Sequence, residues 1–420
     1  MLKNSMAELF SSTKTSTLNH VDLLILTLYF CVLYFLVKIF INSYNVIRFL
    51  AFDDLSRDYS EPRKDAKCNG PYPNGWIPAT ESYQLAPGGM KTVEMCGKQI
   101  LITRDSDGKV HAMDTYCPHN GTDLGTGQMV RIKGEDCIRC PFHDWSFRVK
   151  DGECVDIPYA KDRKPTRSCR VGTYQCVEVN NYIYVWFHSR GDDPDWFPEV
   201  IKEVESGEWA YHGRTEHIVN CKIDEIPENG SDWVHFNAVH NKSFLFGGSL
   251  DKRPSYHPYS LINQDFLNCT WAPRDAPNSH CAVNVTKSHV NFAGIPVIKL
   301  DVAANQHGPS IVNLIFDAEF LGIPLKGAYI QSVTPIHYNK QRIIHQVYME
   351  KSFVSNFVGR CLLVGVLLVV ERDCSLWKNK IHMQKPFLVK EDKDLLKFRR
   401  WFSRFYDENE NECNNMITDW

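Results

Sequence analysis

The chain has 420 residues, 43% hydrophobic and 23% charged, the composition of an ordinary globular protein with room for two or three domains. A formal net charge of −3 gives no electrostatic reason to expect a nucleic-acid partner. Fifteen cysteines spread over so long a chain argue against the disulfide framework of a small secreted domain, and fit free thiols and metal ligands in a reducing compartment.

Residues 1–20 are polar and Ser/Thr-rich, and read as a disordered tail. Residues 23–41 are apolar apart from Thr27 and Lys38, a run of 19 against the ~20 needed to cross a bilayer. A transmembrane helix over 21–42 is therefore expected. The run is too long for a signal peptide, and no small-residue cleavage site follows it. Basic residues are sparse before it (Lys3, Lys14) and denser after it (Lys38, Arg48, Arg57, Arg63, Lys64, Lys67). The positive-inside rule then puts the rest of a single-pass chain in the cytosol, with the endoplasmic reticulum the expected membrane. Two sequons, at Asn120 and Asn229, fall inside the metal motifs below; a cytosolic location removes that conflict.

Residues 43–70 read as a charged linker, and 71–190 as an all-β unit of short strands broken by Gly, Asn and Asp turns. A hairpin is expected around Asp107-Gly108. From 191 to 420 the pattern is mixed α+β. The stretch "IDEIPENGSDWVHFNAVH" has helical spacing, 290–350 reads as long antiparallel strands with a turn at Tyr338–Gln341, and a core helix is expected at Cys361–Val370. That last uncharged run, ten residues, is too short to span a bilayer.

Two loops carry mixed ligand pairs: Cys117-Pro-His119 and Cys140-Pro-Phe-His143. A zinc finger pairs Cys with Cys and His with His. Cys-then-His in both loops suits a 2Fe–2S cluster with one iron on the two thiolates and the other on the two imidazoles. The Gly and Pro residues suit tight loops that aim backbone N–H groups at the sulfides. Cys137 creates a competing Cys-x-x-Cys, but only Cys140 gives Cys-x-x-His with His143. Further on, Asp232 lies three residues before His235, and His240 five after it. With a carboxylate from elsewhere, these histidines would make a 2-His-1-carboxylate iron site; alone they could equally be ordinary half-buried side chains. Glu350, Glu371 and Asp373 are candidates for the third ligand.

"CPHNGTDLG" and "CPFHDWSF" resemble the two cluster loops of Rieske non-haem iron oxygenases, although the 20 residues between His119 and Cys140 are a few more than usual. With the apolar span, "SDWVHF" and "WKNK…FRRWFSRFY", residues 70–410 are similar to the Neverland-type cholesterol 7-desaturase branch. The resemblance implies an all-β Rieske domain followed by an α+β catalytic domain of helix-grip type. It implies Asp373, four residues before Trp377, as third ligand, with Glu371 on another helix face. It assigns Asp232 to an electron-transfer bridge from His235 to His143 of a neighbouring subunit in a head-to-tail homotrimer. It also implies conversion of cholesterol to 7-dehydrocholesterol with O2, in steroid hormone biosynthesis. No GxGxxG fingerprint is present, so electrons from NAD(P)H are expected to arrive through a separate reductase or ferredoxin. The competing readings are a ketosteroid 9α-hydroxylase-type monooxygenase, a membrane-tethered Rieske electron carrier and a zinc-stabilised adaptor.

Overall fold

The computed structural model describes residues 54–60, 71–161, 168–241, 262–381, 383 and 386–407. The expected tail and membrane span lie outside the described residues.

The first part is all β. Strands β2 (Gly75–Glu81), β11 (Cys176–Val179) and β12 (Tyr182–Phe187) form one sheet. A second holds β3 (Met90–Met95), β4 (Lys98–Arg104), β5 (Val110–Asp114) and β10 (Thr173–Tyr174). The third is β6 (Gln128–Ile132), β7 (Glu135–Arg139), β8 (Ser146–Arg148) and β9 (Cys154–Asp156). Strand alternation places the second sheet between two cores. Ile100 and Ile102 of β4 pack with Ile77, Ile183 and Val185 on one side. Leu101, between them, packs with Cys117, Ile138, Cys140 and Phe147 on the other. The expected Asp107-Gly108 hairpin is the β4–β5 connection, closed by Asp105 N–H donating to Lys109 O at 2.9 Å.

The second part is an eight-stranded sheet in the order β1-β13-β19-β18-β17-β16-β15-β14. Its strands are β1 (Asp54–Tyr59), β13 (Trp209–Val219), β14 (Ile262–Pro273), β15 (Cys281–Phe292), β16 (Ile295–His307), β17 (Ile311–Phe320), β18 (Ile323–His337) and β19 (Lys340–Glu350). All neighbours run antiparallel except β1, which pairs parallel with β13. Residues 54–59 thus belong to the eight-stranded sheet, where the sequence reading had a linker. "DLSRDY" is charged because it is an edge strand, and edges tolerate charge.

The helices are short α1 (Lys202–Glu205), α2 (Glu225–Glu228) and α3 (Trp233–His235), then the 25-residue α4 (Phe353–Trp377) and α5 (Lys393–Phe402). Helix α4 is capped by Ser352 Oγ, which accepts from Ser355 N–H at 2.9 Å. By length and composition α4 could cross a membrane. It lies instead against β13 and β19 and buries Val358, Leu362, Leu363, Leu367, Val370 and Trp377. Gly359 permits the close approach: a Cβ there would stand 2.7 Å from the His212 ring. The two parts are tied by backbone bonds, Cys96 N–H to Pro335 O at 2.6 Å and Gly97 N–H to Ile336 O at 2.9 Å. A buried Arg214 Nε–Glu81 Oε1 pair at 2.6 Å joins them as well.

Candidate metal centres

The two Cys/His loops share one backbone design. Gly121 N–H donates to Cys117 O at 2.8 Å, and Asp144 N–H to Cys140 O at 3.1 Å. Cys117 N–H then donates to Thr122 O at 2.9 Å, and Cys140 N–H to Trp145 O at 2.8 Å. Both turns close through a left-handed residue, Gly121 at φ +70 and Asp144 at φ +60. The loops present Cys117 and Cys140 buried and His119 and His143 toward the surface, with the imidazole rings 4.7 Å apart. Trp145 stacks on His119 at 4.4 Å.

This donor set fits a Rieske cluster. Burial pushes the Cys117 thiol up to about 11, and the neighbouring Cys140 adds to the rise. Without a metal the Cys117 thiol therefore keeps its proton, and a thiolate there calls for a cation beside it. His143 Nδ1 is buried with no protein hydrogen-bond partner, as a lone pair awaiting a metal would be. Cys137 sits in β7, paired between Val130 and Arg148, with its sulfur 3.6 Å from Glu135 O. Cys140→Ser is expected to abolish the cluster's visible absorption and EPR signal, while Cys137→Ser keeps both. The opposite pattern in the EPR spectra of the two variants overturns the ligand choice.

The second centre brings together His235, His240 and Asp373, whose ligating atoms all lie within 4.8 Å of one another. Asp373 Oδ1 is 3.2 Å from His240 Nε2. His235 and His240 stand five residues apart, which in a regular α-helix separates two side chains by roughly 140°. Phe236–His240 instead forms a π-helical turn, and one turn of an i→i+5 ladder returns His240 to the side of His235. The turn is braced by its asparagines. Asn237 exchanges two bonds with the Phe266 backbone, at 2.9 and 3.0 Å, and Asn241 Nδ2 donates to Gln264 O at 3.0 Å. Arg372, buried beside Asp373, donates from Nε to Val239 O at 2.6 Å. Sequence reading missed Arg372 and Asn237; an Arg next to a candidate ligand on an apolar helix was the available signal.

His235 is prepared as a ligand. Its Nδ1 bonds the Asp232 backbone carbonyl, which can only accept, so the proton is on Nδ1. Nε2 is left buried with no protein partner. Burial lowers the His235 pKa more than the nearby Asp373 raises it, which favours the neutral imidazole a metal requires. Glu371 is committed elsewhere, to Arg57 Nε at 3.1 Å. The Asp232 side chain is 43% exposed; within the chain it caps α3, Oδ1 accepting from His235 N–H at 3.4 Å. Glu350, the remaining candidate, ends β19 near Lys326 N.

A cavity of about 220 Å³ opens from this centre between α4 and the sheet. Its walls are largely apolar, among them Phe236, Val302, Leu314, Val366 and Val369. Besides the three candidate ligands, the polar lining includes Asn229, Asn284, Thr286, Gln306, Gln331 and His345. His345 Nε2 pairs with Gln331 Oε1 at 3.0 Å, and burial pulls its pKa down to about 4, so it is neutral at pH 7.

Residues 75–178 match the Rieske [2Fe-2S] domain, and residues 185–406 the 3-ketosteroid 9alpha-hydroxylase C-terminal domain. The chain belongs to the Rieske oxygenases. Its relatives place it among the cholesterol 7-desaturases of that class. It is 38% identical over 340 residues to the cholesterol 7-desaturase nvd of Xenopus laevis, covering 80% of this chain and 72% of that one. To the cholesterol 7-desaturase of Caenorhabditis elegans it is 36% identical over 342 residues, 80% of this chain and 78% of that one. Among solved structures it is similar in fold to apo dicamba monooxygenase, with a TM-score of 0.59 at 16% identity, covering 80% of this chain and 97% of that one.

Proposed function

We propose that the chain is a cholesterol 7-desaturase, removing two hydrogens from the sterol B ring with O2 and two electrons relayed from NAD(P)H by a separate reductase or ferredoxin. The balance is cholesterol + O2 + 2 e⁻ + 2 H⁺ → 7-dehydrocholesterol + 2 H2O. The observation that carries it is the buried His235–His240–Asp373 cluster opening directly into an apolar cavity. When bound, the cluster supplies single electrons and the mononuclear iron supplies the dioxygen chemistry that breaks an unactivated C–H bond. The chain's own residues do the rest. Val302, Leu314, Val366 and Val369 hold a rigid hydrocarbon by shape and exclude water, and His345, held neutral by burial and bonded through Nε2 to Gln331, adds no charge to the cavity. Asp232, half-exposed beside His235, is suited to join a neighbouring subunit's His143 in a head-to-tail trimer.

Membrane association extends this reading. Besides the apolar run 23–41, the β15–β16 and β17–β18 hairpin tips expose Phe292, Ile295, Leu321 and Ile323, and the start of α4 exposes Phe353 and Phe357. These tips adjoin, Leu321 N–H donating to Val297 O at 3.1 Å and Phe320 meeting Phe357 at 6.5 Å. From Phe357 to Val366 along α4 is roughly 14 Å, so the rim lies within a sterol's length of the cavity wall. Of the nearby lysines, Lys299 pairs with Glu319 and Lys326 with Asp317, leaving Lys351 as the exposed cation beside Phe353, so the rim carries little net charge and suits an uncharged phosphatidylcholine surface.

The test feeds reduced, metal-loaded protein a sterol panel under O2 and identifies products by mass spectrometry; 7-dehydrocholesterol is expected. A hydroxylated steroid as sole product would instead establish the monooxygenase reading. In the same assay, serine at Ile295, Leu321 and Phe353 together should raise KM about tenfold for vesicle-borne cholesterol. It should leave KM for cyclodextrin-delivered cholesterol unchanged. A vesicle KM unchanged from the wild type in that variant removes the membrane rim.

A further inference from the structure

A second cluster of metal-ligating side chains lies outside both iron centres. His280, Cys281 and His307 offer ligating atoms that all fall within 4.8 Å of one another. Cys281 opens β15, His307 closes β16, and the two are directly paired in register. His307 follows Gln306, which lines the sterol cavity, so strand alternation turns His307 to the opposite face of the sheet. We propose that Cys281, His307 and His280 bind a zinc ion on that face, with His307 oriented by Glu199 from the segment that joins the two domains.

The geometry of His307 carries the argument. Its Nε2 is 2.8 Å from Glu199 Oε2, and its Nδ1 is 3.3 Å from Cys281 Sγ. An ionised carboxylate only accepts, so Nε2 holds a proton, and Nδ1 is the ring nitrogen turned to the sulfur, hydrogen-bonded to it when no metal lies between them. A metal-bound histidine commonly has this arrangement, its far N–H held by a carboxylate. Zn–S near 2.3 Å and Zn–N near 2.0–2.1 Å in a tetrahedron separate S and N by roughly 3.5 Å, close to the spacing present. Charge also closes: one thiolate and the Glu199 carboxylate balance a divalent ion. A thiolate with two imidazoles selects zinc over magnesium or calcium.

The third ligand is held from the domain-joining segment too. Trp196 stacks on the His280 ring at 4.7 Å and 14°. Gly308 N–H donates to His280 O at 2.9 Å, and a Cβ at Gly308 would come within 2.4 Å of the Trp196 ring, so glycine keeps this stack seated. A metal-free Cys281–His307–Glu199 hydrogen-bonded chain with His280 seated by Trp196 is the competing arrangement, and metal titration separates the two. Three protein ligands leave the fourth position to water, on the less buried side by His280.

The experiment uses the full chain with its cluster and mononuclear iron loaded, titrated with Co(II) as the spectroscopic probe. Cobalt on a thiolate gives an intense sulfur-to-metal charge-transfer band, which the His235–His240–Asp373 site, lacking sulfur, cannot produce. One equivalent should bind with that band, zinc should displace it, and Cys281→Ser should lose it. Glu199→Gln, which leaves every ligand in place, should weaken cobalt affinity about 10–100-fold. No thiolate band in the wild type at saturating Co(II), or an undiminished band in Cys281→Ser, overturns the site.

Discussion

Asp373→Ala is expected to lower the iron content from about three atoms per chain to about two, leave the Rieske EPR signal intact and abolish sterol turnover. The carboxylate stands 3.2 Å from His240 Nε2, with its side chain only 9% exposed. Alanine would leave two neutral imidazoles to hold a divalent ion in an apolar cavity. With no anion to offset its charge, the desolvation cost of the ion is unmet. Glu371→Ala is the matched control. Two residues away, Glu371 points roughly 200° around α4 and pairs with Arg57. Losing that partly exposed pair costs at most about 1 kcal/mol, so iron and activity should remain. Metal analysis with EPR decides: full iron in Asp373→Ala and loss in Glu371→Ala would reverse the assignment.

Turnover in Asp232→Ala should fall about 10–100-fold with both metal centres and sterol binding retained, the range for a lost carboxylate partner of a metal-bound histidine. Capping α3 is the competing role, and its loss would cost about 1 kcal/mol of stability. Asp232→Asn separates the two, because asparagine caps a helix as well as aspartate but carries no charge. If the carboxylate joins two imidazoles across a subunit boundary, Asp232→Asn is as slow as Asp232→Ala while its melting temperature is unchanged. In rapid mixing, its Rieske cluster stays reduced after O2 and sterol are added. Normal cluster reoxidation in Asp232→Asn leaves only the cap.

The sequence was most legible where chemistry is local. Each Cys/His loop closes on itself within six residues, so Cys117–Thr122 and Cys140–Trp145 could be read from their own residues. The longer-than-usual gap between them is taken up by the β6–β7 hairpin, which turns at Lys133-Gly134 away from the ligands. Legibility failed where tertiary partners decide. No local propensity distinguishes a π turn from an α turn; the Asn237 and Asn241 bonds to β14 and the Arg372 bond to Val239 do, and all come from distant sequence. Strand β1 was missed for the same reason, since six residues with three charges become a strand only beside β13. Asp373 needed the family resemblance, because a ligand 133 residues beyond His240 has no spacing to read.

The π turn makes this enzyme sensitive to chain length rather than to residue type. Ala238 and Val239 lie between the two candidate iron-binding histidines and are not candidate ligands, so their side chains can vary within packing limits. Their number cannot. Removing either one would let the segment relax into the more favourable α ladder, and a four-residue spacing would still bring two histidines to one face. The register of Asn237 and Asn241 against Phe266 and Gln264 would then be lost, and with it the alignment of the pair to Asp373. Homologous chains drifting under selection for this chemistry should therefore exchange residues freely at positions 238 and 239 and almost never gain or lose one between the histidines.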